Sequence, residues 1–207
     1  MNKKNNIIIG ITGGIGSGKS FVTNILRNKG YKVFDCDSRA KWLMTHDKMI
    51  IHDIIDVVGD KAYDIVQDEN GNNKWLLNKS VIANFIFNDN NNSINNIVHP
   101  RLALFFKKWV KELNESIVFL ESAILFDSGF DKLVDMSVLV FAEDSLRLYR
   151  ACKRDGLSEN EILVRMKHQM DQQTIMKRVD YVIYNNENDN LNLQISTCLN
   201  LIEKNCR

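Results

Sequence analysis

The chain has 207 residues, enough for one sizeable core with a small appended lobe. Its 44% hydrophobic and 26% charged residues are ordinary for a globular domain. With 27 Lys and Arg against 26 Asp and Glu, the net charge of +1 excludes a global electrostatic attraction to nucleic acid or to an anionic membrane, so any anion must be bound locally.

Lys3 and Lys4 precede a short apolar run, Ile7 to Ile9, which is too short for a signal peptide and runs straight into a glycine-rich stretch. No stretch is long enough to span a bilayer. From Ile7 to Ser20 the chain reads Ile-Ile-Ile-Gly-Ile-Thr-Gly-Gly-Ile-Gly-Ser-Gly-Lys-Ser: β-branched residues, then glycines, then an amphipathic helical pattern. The order is strand, loop, helix, the context that G-x-x-x-x-G-K-S requires. Glycines let the backbone take positive φ and bring several N–H groups to one point, where a Cβ would collide with phosphate oxygens. Those N–H groups and the dipole of the helix beginning near Gly18 favour anionic charge. Lys19 adds a cation for the outer phosphates, and the Ser20 hydroxyl is suited to a magnesium ion that neutralises them. The stretch is a cradle for a nucleoside triphosphate.

Val22, Ile25 and Leu26 give the following helix its apolar face, and Lys29-Gly30 stops it. Lys32 to Asp37 reads as a short strand ending in acids. Asp35 and Asp37, two apart, share a face and either look toward the loop, to take a proton or hold a magnesium-bound water, or are a solvated strand end or helix cap. From Ser38 to about Glu115 the pattern is helical with no convincing strand. It carries apolar sets such as Ile50, Ile54, Val57 and Leu102, Phe105, Phe106, Trp109, Val110, which read as core. The run Asn88 to Asn96 is a polar loop, after which Pro100, the only proline, opens the next helix from its first turn. His99 beside it reads as part of that helix start.

Ile117 to Glu121 is the next strand. Glu121 fits either a second magnesium-associated carboxylate or an ordinary strand end. Val138 to Phe141 is a fourth strand. Between Arg147 and Arg178 basic residues outnumber acidic ones eight to four. Arg147, Arg150, Lys153 and Arg154 share one helix ended by Gly156, and Ser158 to Glu161 is a capping box starting another. An arginine-bearing helical hairpin is either a phosphate-closing lid or a solvated basic face. Tyr181 to Tyr184 is the last strand, followed by Asn185-Asn186 and a final helix capped by Asp189. Cys36, Cys152, Cys198 and Cys206 lie far apart, with no C-x-x-C pair and no His at ligand spacing, which points to reduced thiols in a cytoplasmic compartment.

Taken in order, Thr12 to Ser20, Asp35-Cys36-Asp37, His99-Pro100, Leu125-Phe126-Asp127-Ser128-Gly129, Lys153 to Ser158 and Asp180 to Asn186 resemble the dephospho-coenzyme A kinase family over nearly the whole chain. The resemblance implies an α/β P-loop NTPase fold of three layers, with a central parallel five-stranded sheet, an inserted helical substrate lobe and a helical lid. In that reading 1–37, 116–145 and 176–207 form the nucleotide-binding core, 38–115 the acceptor-binding insertion and 146–175 the lid. It implies ATP and Mg²⁺ as cofactors and transfer of the γ-phosphoryl group to the ribose 3′-hydroxyl of dephospho-CoA. Lys19, Asp37 and Arg154 would be catalytic, with Asp37 facing the acceptor hydroxyl and Arg154 stabilising the transferring group. Gly14, Ile15, Gly16, Ser17, Gly18, Lys19, Ser20 and Phe21 would hold the nucleotide phosphates, Asn185 and Asn186 would lie by adenine, and Ser20 would hold the metal. The small-molecule substrate would be the only partner, with no nucleic acid and no membrane, and the protein a monomer or small homo-oligomer. The chain differs from the family in having Ala123 to Asp127 where Pro-Leu-Leu-Phe-Glu is frequent, Tyr184 where an acid is common and Glu187 where glycine is common. The alternatives are another nucleoside or nucleotide kinase on this scaffold, or a P-loop ATPase or GTPase switch.

Overall fold

The computed structural model describes residues 6–67, 69–71, 73–88 and 92–205. In chain order the elements are β1 (Ile7–Thr12), α1 (Lys19–Asn28), β2 (Lys32–Asp35), α2 (Cys36–His46), α3 (Lys48–Val58), β3 (Tyr63–Gln67), β4 (Asn73–Leu77), α4 (Lys79–Asn88) and α5 (Ser93–Glu112). There follow β5 (Ile117–Glu121), β6 (Met136–Phe141), α6 (Asp144–Asp155), α7 (Glu159–Lys167), α8 (Gln172–Met176), β7 (Tyr181–Tyr184) and α9 (Leu191–Asn205). They form two compact units, one made of Met1–Asp35 with Leu113–Arg207 and the other of Cys36–Glu112. No described helix is long and apolar enough to cross a membrane.

The first unit is built on a five-stranded sheet in the order β2-β5-β1-β6-β7, every pairing parallel. The strands are short β-branched runs covered by helices, the condition under which a parallel sheet is stable. Ile9, Ile11, Phe119, Val138, Val140 and Ile183 pack with Val22 and Leu26 of α1 and with Ile195, Cys198, Leu199 and Ile202 of α9. Burial holds the Cys198 thiol up at about 12. On β1, Gly10 leaves room for the neighbouring chain: a Cβ there would lie 2.9 Å from Leu125 and 3.2 Å from Val134. Register puts Glu121 of β5 level with both Ile11 of β1 and Asp35 of β2, so an acid from each of two adjacent strands reaches the carboxyl edge of the sheet, where open α/β sheets bind their ligands.

The second unit packs α2, α3 and α5 around Leu43, Ile50, Ile54, Val98, Leu102 and Phe106, all buried. Asp47 caps α3 through the N–H groups of Met49 and Ile50. Here three expectations fail. β3 and β4 form an antiparallel hairpin where only helix was expected. Its residues are mostly exposed, so no period of two marks it. Tyr63 anchors it, donating to the Met44 carbonyl at 2.7 Å. The readable signal was Asn70-Gly71, a hairpin turn dipeptide with Gly71 at φ 78°. Pro100 lies inside α5, which already begins at Ser93 and contains Asn95 and Asn96 of the supposed loop, while residues 89–91 lie outside the described residues. The stripe Ile94, Val98, Leu102, Phe106 and Val110 is buried along the whole helix. At about 1.5–3 kcal/mol per side chain it outweighs the roughly 3 kcal/mol of an interior proline. Finally, Asp37 is not in a strand: β2 ends at Asp35 and α2 starts at Cys36, so Asp37 lies exposed in a helical first turn, where a carboxylate is favoured by the backbone dipole.

Candidate active site

The loop after β1 closes on itself through the Ser17 N–H to the Gly14 carbonyl at 3.1 Å. Gly16 and Gly18 sit at φ 76° and 88°, conformations that a side chain opposes. Part of the reason for glycine here is the protein itself. A Cβ on Gly14 would strike the Arg147 guanidinium, one on Gly16 the Arg147 carbonyl, and one on Gly18 the Asn185 amide. At the start of α1 the Phe21 N–H donates to the Gly18 carbonyl at 2.9 Å, and no side chain caps the helix, so the N–H groups of Lys19 and Ser20 are the ones helix geometry leaves for an anion.

Glu121 is the centre of the polar contacts beside this loop. It is 4% exposed, and its Oε1 accepts from Lys19 Nζ at 3.1 Å and from Ser20 Oγ at 3.0 Å. Its Oε2 accepts from Thr23 Oγ1 at 2.7 Å, and Arg27 Nη2 stands 3.6 Å away. A buried carboxylate is stable only when its oxygens are satisfied, and two cations and two hydroxyls satisfy these. Because Ser20 gives its proton to Glu121, its lone pairs are left for a cation. Hydroxyl and carboxylate oxygens are the donor set that hard divalent ions take, so these residues fit magnesium. Thr12 Oγ1 and Ser17 Oγ are buried without hydrogen-bond partners among the described residues.

Three further side chains brace the loop. Asn185, buried, donates from Nδ2 to the Ser17 carbonyl at 2.7 Å, and Arg150 Nη1 donates to the Asn185 carbonyl at 2.9 Å. Arg147, 5% exposed, donates from Nε to the Ile15 carbonyl at 3.0 Å and from Nη1 to Asp144 Oδ1 at 2.8 Å. Burial pulls its pKa below the ordinary arginine value, against the opposing influence of Asp144. Gln169 accepts the Ile15 N–H at 2.8 Å.

The structure thus brings Gly14, Ile15, Gly16, Ser17, Gly18, Lys19 and Ser20 into one cradle, with Phe21 on its rim and 60% exposed. The expected Asn pair divides: Asn185 is a strut under the loop. Asn186, accepting the Glu143 N–H at 3.0 Å, lines a cavity of about 550 Å³ with Leu146, Tyr149 and Glu187. Arg154 lies at the exposed end of α6, gripped by Asp155 through Nε at 2.7 Å and Nη2 at 3.0 Å, a hydrogen-bonded pair that raises the arginine pKa and lowers the carboxyl one. Asp127 is exposed in the turn after β5, and Asp37 belongs to the second unit. Asp189 does not cap α9. It accepts the Asn186 N–H at 2.7 Å, and Asn190 accepts the Leu193 N–H instead. Sequence reasoning missed Thr23, Arg147 and Gln169. Only the basic run around Arg147 hinted at one of them.

A family model for dephospho-CoA kinase matches residues 7–190. The dephospho-CoA kinase of Porphyromonas gingivalis is 38% identical over 182 residues, 86% of each chain, and that of Bacteroides fragilis 37% identical over 183 residues, 86% of this chain and 84% of the other. Among solved structures, a Thermus thermophilus protein superposes with a TM-score of 0.79 at 28% identity over 98% of both chains. A shikimate kinase from Bacteroides thetaiotaomicron, at 13% identity and a TM-score of 0.52 over 95% of this chain and 98% of its own, shares the fold.

Proposed function

Because the chain belongs to the dephospho-CoA kinase family and so moves the γ-phosphoryl group of ATP to the ribose 3′-hydroxyl of dephospho-CoA, we propose that Gly13 to Ser20 cradles the triphosphate while Asp37 and Arg154 act on the transferring group. The observation that carries this reading is the shared hold of Glu121 on Lys19 and Ser20, which supports an ammonium and a hydroxyl fixed side by side at the loop mouth. Lys19 divides its donors between Glu121 and the outer phosphate oxygens. Ser20, with Glu121 behind it, would hold Mg²⁺, which when bound neutralises phosphate charge and aligns the oxygens.

Phosphoryl transfer asks little covalent chemistry of the protein, so positioning and charge neutralisation carry most of the acceleration. Asp37 orients the acceptor hydroxyl and receives its proton as the oxygen attacks in line. Arg154 leaves Asp155 and meets the charge spread over the transferring group. The cavity beside Asn186 takes the base of ATP, its volume being in the range of small-ligand sites. Residues 38–115 receive dephospho-CoA and 146–175 act as the lid. That Cys36, Cys152 and Cys198 stand in no disulfide among the described residues supports a reducing compartment, the cytoplasm, while Cys206 lies outside the described residues.

The test is mass analysis of the product made from ATP and dephospho-CoA, with the added phosphate located, in the wild type and in Asp37→Asn. The expected result is a 3′-phosphate and, in the variant, turnover lower by about 10³ with little change in ATP affinity. Near-normal turnover in Asp37→Asn removes that residue from the role of base.

A further inference from the structure

Ile15, at the tip of the loop, has both of its backbone polar groups taken by side chains from elsewhere in the chain: Gln169 accepts its N–H and Arg147 Nε donates to its carbonyl. The connections continue until they close. Arg147 Nη1 donates to Asp144 Oδ1, the same oxygen accepts from Gln172 Nε2 at 3.0 Å, and Gln172 stands three residues after Gln169. Gln172 is 5% exposed and is also tied to the Ala142 carbonyl at 3.0 Å, so this side of the ring is anchored to the end of β6. A cavity of about 420 Å³ lined by Asp144, Arg147, Gln169 and Gln172 lies within the same group.

We propose that Gln169 and Arg147 are positioning residues that couple the segment Glu159–Met176 to the nucleotide-binding loop through Ile15, so that each orders the other. This rests on the reading of the loop as the triphosphate cradle and adds how occupancy of the cradle reaches the segment above it. The physical ground is the small apolar hold on that segment. α7 buries only Ile162, and α8 only Gln172 and Ile175. An element with so few buried apolar contacts opens at little cost, and a polar contact to a rigid neighbour then sets much of its order. Gln169 sits between the two helices, and its contact with Ile15 spans 154 residues of sequence. A nucleotide that stiffens the loop stiffens the acceptor and donor at Ile15, and by reciprocity whatever frees Gln169 loosens the loop.

The experiment measures binding of a non-hydrolysable ATP analogue by calorimetry. In parallel it follows trypsin cleavage after Arg165 and Lys167, identified by mass, with and without saturating analogue. In the wild type, saturation is expected to slow cleavage at these sites by about tenfold. Gln169→Ala is expected to bind the analogue about three- to tenfold more weakly and, once saturated, to gain less than about twofold protection. Gln169→Glu, which keeps an acceptor oxygen at the same reach, is expected to retain protection at saturation. A saturated Gln169→Ala protected as fully as the wild type overturns the coupling, as does a Glu variant that behaves like Ala. A wild type that binds the analogue with no gain in protection also overturns it and leaves the cradle standing. A wild type that binds no analogue overturns the cradle itself.

Discussion

The two ends of α6 carry the same side chain in opposite situations. Arg147 and Arg154 are seven residues apart, roughly 10 Å along the axis and within about 20° of the same face. Arg147 is buried, donates to main chain across the fold and has its pKa lowered chiefly by desolvation. The Arg154 side chain is 63% exposed, pairs with the next residue and has its pKa raised chiefly by that hydrogen bond. A guanidinium whose donors are committed to a carbonyl is a fixture. One held by a single solvated carboxylate exchanges partners at small cost, since exposed pairs contribute about 1 kcal/mol or less. The difference teaches that one basic helix can carry a fixed guanidinium at one end and an exchangeable one at the other.

That contrast can be broken by kinetics first. Arg154→Ala is expected to lower turnover by about 10²–10³ while leaving the unfolding free energy within about 0.5 kcal/mol of the wild type. Single-turnover rates and urea denaturation read the two effects, and a loss of stability instead of turnover would make both arginines braces. Arg147→Ala is expected to cost about 2 kcal/mol of stability, because it strands the Ile15 carbonyl and removes a buried side chain. The shift in urea midpoint measures this. Asp155→Asn sharpens the comparison: it weakens the hold on Arg154, and a rise or small change in turnover, within about threefold, is expected where a structural salt bridge would show a loss.

The smallest effect tests burial without a phosphate role. His99 has its pKa lowered from 6.5 by desolvation. The unfolded chain therefore binds the proton more readily than the folded one, so this contribution to stability is fully present above about pH 6.5 and is lost as pH falls from there toward the lowered folded value. The thermal midpoint of His99→Gln is expected to drop less than that of the wild type between pH 7.5 and 5.5, a difference of a few degrees.

Much of this was legible in the residues. The glycine-rich loop, the five strands of the parallel sheet and the capping box at Ser158 and Glu161 each carry a local signature, and each formed where it was read except that β2 stops at Asp35, two residues early. Local signatures failed where tertiary burial decided. The buried stripe of α5 carried the helix through Pro100, and the hairpin of β3 and β4 survives on the anchorage of Tyr63 rather than on alternation. The braces around the loop were hidden for a different reason. Gln169 and Arg147 act by hydrogen-bonding main chain more than a hundred residues away, and main-chain acceptors leave no mark on which side chain will find them.

The strand order has a consequence for synthesis. β1 and β2 are not neighbours: β2 pairs only with β5, and β1 sits between β5 and β6. While a ribosome is extruding residues 36–112, the first two strands have nothing to add to, and the glycine-rich turn between them hangs on an unfinished scaffold. The nascent chain must bring Ile117–Glu121 out of the exit tunnel before β1 and β2 can join one sheet, so both strands wait unpaired while the whole intervening unit is made.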